Sequence, residues 1–178
     1  MEQKRSPLLT TIIVLISVAA GVVFDQYTKW LAVRHLKDQK PFIIIEGVFS
    51  LQYLENRGAA FGLMQNQRAL FLIGAAIITL LILYCFIKMP HSKRFMPLSI
   101  IGICVLIGAF GNLIDRVRLG YVVDFFYFEL IDFPIFNVAD IFLTVSVSIL
   151  ILLILFYYKE EDLSWLSFKG KSEQHQKE

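Results

Sequence analysis

Residues 69–87 read ALFLIGAAIITLLILYCFI, nineteen consecutive residues without a charge, bounded by Arg68 and Lys88. At about 1.5 Å of rise per residue, such a run reaches roughly 29 Å, close to the hydrocarbon thickness that a transmembrane helix must cover. Three further uncharged stretches match it, residues 6–24, 95–114 and 141–158, the last entered through a short polar lead that sets the fourth span at 138–158. Four crossings of this length account for the composition. Of 178 residues, 57% are hydrophobic and only 18% charged, with a mean hydropathy of +0.65. An average globular domain carries about 25% charged residues, and a single core of this size cannot hide so much apolar surface from water. The first span follows Lys4 and Arg5, as the apolar run of a signal peptide would. No A-x-A-like cleavage site follows it, however, and residues 25–34 continue as a polar helical stretch, so it is read as a permanent helix.

The polar segments fill in the organisation. A hairpin is expected within residues 37–68, from Phe42–Ile45 through a Glu46-Gly47 turn to Val48–Leu54, with Phe49, Leu51 and Tyr53 on one face. Residues 116–137 form a second insertion rich in Tyr and Phe, which suits the headgroup zone. The fold class is thus a membrane all-α protein, four transmembrane helices carrying a small extracytoplasmic β-hairpin insertion. Residues 1–158 form one membrane domain and residues 159–178 a charged cytoplasmic tail that skims the inner interface. An even number of spans puts both termini on one side. Basic residues divide nine to eight between the sides, and the three packed into Lys88–Arg94 decide for cytoplasmic termini. The net charge of +2, from 17 basic and 15 acidic residues, is too balanced for a partner held by phosphate neutralisation, so no nucleic acid is expected. Cys85 and Cys104 lie inside apolar runs as small hydrophobes, and His35, His91 and His175 are scattered, so neither a metal site nor another cofactor is expected.

Polar residues at the ends of membrane helices are the informative minority, because an unpaired charge near lipid costs several kcal/mol. Five clusters stand out: Asp25 to Lys29, Asn56 to Gly62, Gly111 to Arg116, Val122 to Phe125 and Phe136 to Asp140. In the four-span topology all five converge on the outer membrane surface. Asp25 and Lys29 have the spacing of an intrahelical ion pair, read as a structural clamp at the water boundary. Arg116, one turn after Asn112, offers five fixed donors to backbone carbonyls or lipid oxygens, or simply neutralises Asp115. Gly58, Ala59, Ala60 and Gly62 lack bulk and permit close approach of a helix or an extended ligand. Asp124 and Asp140 sit in apolar frames, Val-Val-Asp-Phe and Asn-Val-Ala-Asp, without an adjacent base. Two such carboxylates facing each other share a proton, one serving as general base toward water and the other as general acid toward a carbonyl. Asp140 lies near the positive start of the fourth helix, which favours its anion and leaves Asp124 to hold the proton.

With these clusters in view, the chain from about Val22 to Phe142 closely resembles the lipoprotein signal peptidase (signal peptidase II) family of bacterial membrane aspartic peptidases. The resemblance implies four membrane helices with an extracytoplasmic β-cradle, and removal of the signal peptide from prolipoproteins just before a diacylglyceryl-modified cysteine. By position in the matching motifs, Asp124 and Asp140 correspond to the catalytic dyad. Asn112 and Arg116 correspond to residues that hold the substrate backbone, and Asn56 and Asn137 to polar residues lining the site. Asp25, Lys29 and Asp115 match supporting positions, with Gly58 beside them. The expected partners are the lipidated prolipoprotein and membrane lipids, in a monomer of the bacterial cytoplasmic membrane. The rival reading is a small transporter or proton-conducting protein, which also uses intramembrane carboxylates. Transporter sites lie near the midplane on broken helices, whereas here the spans are uninterrupted and the carboxylates gather at one end.

Overall fold

The structure, a computed structural model, describes residues 7–58, 68–90 and 92–166. In chain order it contains α1 (Pro7–Leu36), β1 (Phe42–Ile45), β2 (Phe49–Asn56), α2 (Arg68–Lys88), α3 (Met96–Arg118), β3 (Val122–Phe128) and α4 (Val138–Phe156). All four helices are long and apolar enough to cross a membrane. The first runs well past the uncharged stretch, continuing through Asp25 and Lys29 to Leu36. Its polar half stays helical because Asp25, Lys29 and Ala32 share one face at i, i+4 and i+7, and all three are buried. The clamp predicted at the water boundary is therefore an interior one.

Helix α3 is the central element and packs against the other three. Its buried side begins with Ile101, Leu106 and Ile107 and turns small and polar toward the C-terminal end, with Gly108, Ala109, Gly111, Asn112 and Asp115. On the outer faces of α2 and α4, Leu80, Ile87, Leu155 and Phe156 are more than half exposed. That inversion of the soluble pattern is membrane-helix packing, where lipid is as apolar as leucine and small residues let backbones approach. Gly108 shows the requirement directly, since a Cβ there would lie 2.5 Å from the carbonyl oxygen of Ala139 on α4.

The predicted hairpin forms, with Phe42 opposite Leu51 and Ile43 opposite Ser50, turning through Gly47 at a φ of +66°. A third strand was not expected. β3 pairs antiparallel with β2, placing Ser50 opposite Tyr127, Leu54 opposite Asp124 and Asn56 opposite Val122, to give a sheet of order β1-β2-β3. The aromatic insertion is thus a packed strand rather than a belt alone. Phe126 stacks with Phe49 and meets Phe136, whose backbone it pairs. Val123 and Phe125 join Ala32 of α1 and Val138 of α4 in a small hydrophobic core. Strand β3 has no polar alternation because its first four residues are all buried, and a strand covered on both faces reads as a continuous apolar run.

The start of the tail folds back on the opposite end of the bundle. A short 3-10 segment, Glu160–Leu166, brings Asp162 to the Arg94 guanidinium, and Phe95 packs between Tyr158 and Trp165. Ala59, Ala60 and Gly62, singled out for small size, lie outside the described residues.

Candidate active site

Each polar cluster arrives on a different element. Asn56 ends β2, Asn112 sits on the last turns of α3, Asp124 is the third residue of β3, and Asn137 and Asp140 open α4. Asn137 is the N-cap of α4. Its side-chain oxygen accepts from the Asp140 backbone N–H at 3.1 Å, while the Asp140 carboxylate accepts from the Asn137 N–H at 3.1 Å, a reciprocal capping box. The cap leaves the Asn137 amide nitrogen free to point into the bundle.

That nitrogen donates to Asp124 Oδ1 at 2.5 Å and to Asn112 Oδ1 at 3.1 Å. Asn112 in turn donates to Asp140 Oδ1 at 2.8 Å, and Asn56 donates to Asp124 Oδ2 at 2.8 Å. Asp124 and Asp140 are therefore joined through two asparagine amides, and three asparagines aim N–H groups at the two carboxylates. Asp124 is only 1% exposed. Burial pushes its carboxyl up to about 7, and the negative charge of Asp140 acts in the same direction. The donors on Asn56 and Asn137, and the charge of Lys29, pull the other way without overcoming these.

Behind this layer lies a second buried group. Lys29 contacts Asp25 and Asp115, each at 3.0 Å, and donates to Asn112 Oδ1 at 2.9 Å. The alternative role for Arg116, neutralising Asp115, is not a direct pairing, because Lys29 and Gln26 contact that carboxylate and Arg116 acts on it only through space. Arg116 instead donates to the Gly58 carbonyl at 3.2 Å and lies 4.1 Å over the Phe71 ring, within electrostatic reach of Asp140 and Asp124. The structure thus brings Asn56, Asn112, Asn137, Asp124 and Asp140 into one network, with Asp25, Lys29 and Asp115 behind it and Arg116 and Gly58 at its side.

Three participants escaped the sequence reading. Gln26 donates to Asp115 at 2.9 Å and to the Gly111 carbonyl at 3.1 Å, and the backbone N–H groups of Val123 and Ala139 bind Asp115 and Asp25. Gln26 could have been found as the one polar neighbour of Asp25, whereas backbone amides leave no trace in a sequence.

Four apolar helices with a buried carboxylate network at one end define a multi-pass membrane protein, and comparison with known proteins says of which kind. Two solved structures described as bacterial membrane enzymes superpose with TM-scores of 0.74 and 0.73 at 32% identity, each covering 89% of this chain and 93% and 99% of the other. The family model for signal peptidase (SPase) II matches residues 17–156. Proteins named lipoprotein signal peptidase from Caldanaerobacter subterraneus and Streptococcus thermophilus are 43% and 42% identical to it, over 80% and 83% of this chain and 95% and 93% of theirs. The chain belongs to the signal peptidase II family, and it is a peptidase.

Proposed function

We propose that this protein removes the signal peptide from prolipoproteins whose cysteine carries a diacylglyceryl group, cutting just before that cysteine, with Asp124 and Asp140 as the catalytic pair. The observation that carries the mechanism is that two carboxylates from different elements share one amide network, with Asp124 pushed up to about 7 while Asp140 caps a helix start. A carboxyl raised to about 7 still holds its proton in part of the molecules at neutral pH.

With Asp140 ionised and Asp124 protonated, a water between them gives a proton to Asp140 as its oxygen adds to the scissile carbonyl carbon. The carbonyl oxygen takes the proton of Asp124, which yields a neutral tetrahedral diol. On collapse, Asp140 returns its proton to the departing nitrogen, the C–N bond breaks, and Asp124 recovers a proton from one of the two hydroxyls. The products are a free carboxyl on the signal peptide and a free amine on the cysteine, and the dyad is restored. Arg116 and Asn112 hold the extended substrate backbone, with Asn56 and Asn137 lining the site, because its peptide groups lose water on entering a lipid-bordered cleft and need replacement partners. The site faces the extracytoplasmic side, both termini face the cytoplasm, and the protein works as a monomer.

Purified protein in detergent, incubated with a prolipoprotein in diacylglyceryl-modified and unmodified forms, tests substrate and reaction together. Cleavage of the modified form alone is expected, and Asp124→Asn and Asp140→Asn should each lose at least about 10²-fold in turnover while melting as folded proteins. Efficient cleavage of the unmodified form would remove the substrate reading, and a turning-over Asp140→Asn enzyme would remove the dyad.

A further inference from the structure

Three buried charged groups take no part in the proton transfers just described, and their partners are unusual. Asp25, 0% exposed, accepts through Oδ1 from the N–H of Ala139 at 2.9 Å, the residue immediately before Asp140. Asp115 accepts through Oδ2 from the N–H of Val123 at 3.1 Å, the residue immediately before Asp124. Both carboxylates then contact the same ammonium, that of Lys29, at 3.0 Å. The third donor of Lys29 goes to Asn112 Oδ1, which also accepts from Asn137, so the Asn112 amide can only present its nitrogen to Asp140.

We infer that Asp25, Lys29 and Asp115 form a clamp that sets the spacing of Asp124 and Asp140 by holding the peptide N–H that precedes each, with Lys29 as the positioning residue at its centre. The inference rests on the dyad proposed above. β3 and α4 are separate elements tied to each other by the Phe126–Phe136 bridge and by the Asn137 bond to Asp124, but neither tie reaches the peptide N–H before Asp124 or the one before Asp140, which leaves a gap between those two peptide units. The clamp spans that gap from a third and a fourth element, α1 and α3. It also accounts for Gly111, where a Cβ would stand 2.6 Å from Asp25 Oδ2 and displace the carboxylate from its place. The competing role is charge balance alone, in which Lys29 merely offsets two buried carboxylates and leaves the cluster at a net charge of −1.

Two variants separate these roles, compared with the parent and with Asp140→Asn in detergent, each by melting temperature, kcat and KM. Lys29→Met removes the clamp and the ammonium. The double variant Asp25→Asn with Lys29→Met also removes the clamp, but restores the cluster's net charge of −1 and keeps an amide oxygen to accept from the Ala139 N–H. Positioning predicts that kcat falls about 10²-fold in both, as for a small misplacement of reacting groups, while KM stays within roughly threefold. Charge balance predicts that the double variant regains the parent kcat, and that result overturns the inference, as does a parent-like kcat in Lys29→Met. If neither variant is recovered folded, the cluster is a folding element and the inference is likewise overturned. Activity retained in Asp140→Asn would show instead that the dyad reading had failed.

Discussion

Asp124 carries a pH-sensitive proton in the proposed site. Its carboxyl, ordinarily near 3.8, is raised to about 7 by burial and by Asp140. Between those values the folded protein holds a proton that the unfolded chain has released. This group's contribution to stability is therefore full below the ordinary carboxylate pKa and is lost as pH rises through about 7. The melting temperature of the parent, taken relative to Asp124→Asn, should decline between about pH 4 and pH 7, and turnover should fall as pH rises through about 7 because the general acid has gone. A turnover rate that stays flat past pH 9, or rises there, would deny Asp124 that role. Arg116 permits a second residue-level prediction. Its fork reaches the Gly58 carbonyl and covers the Phe71 ring rather than pairing directly with Asp115. Arg116→Lys keeps the charge but loses the fork, and should lower kcat/KM about tenfold or more with little change in melting temperature. Full activity in that variant would remove Arg116 from substrate holding.

Among the elements, the start of α4 combines two tasks in one residue. Asn137 caps the helix through its oxygen and wires the site through its nitrogen. The tasks can be separated by substitution. Asn137→Ser keeps a capping oxygen and removes the amide donors, so it should melt close to the parent yet lose most turnover. Asn137→Ala should lose the cap as well, at a further cost of about 1 kcal/mol in stability. Equal melting temperatures for the two variants would show that the cap contributes nothing. The contact of α3 with α1 and α4 depends on Gly111, and Gly111→Ala should destabilise by about 1–3 kcal/mol and reduce turnover, because the added methyl collides with Asp25 and with Ala139.

For the whole molecule, the proposed orientation in the membrane rests on the basic Lys88–Arg94 connection. In a background without Cys85 and Cys104, Gln39→Cys should react with an impermeant thiol reagent added to intact cells and Ser92→Cys should not. The reverse pattern would invert the topology and move the site to the cytoplasmic side. Much of the architecture was legible along the chain. Nineteen uncharged residues cannot rest in water, so Ala69 to Ile87 announces a membrane helix wherever it is found, and a Glu-Gly pair between apolar runs announces the hairpin. Asp124 and Asp140 were also legible as candidates, since a carboxylate in an apolar frame is costly without a purpose. The third strand was not, because its first half, Val122 to Phe125, is buried throughout and loses the alternation that marks a strand. Nor was the interior location of Lys29 legible, since the i, i+4 spacing with Asp25 is the same for a pair on the surface and a pair in the core. The sequence by itself determined which residues avoid water and which could titrate. Only the tertiary structure decided which backbone N–H groups meet which carboxylates, because every residue but proline carries the same N–H and its partner is chosen by the packing of distant elements.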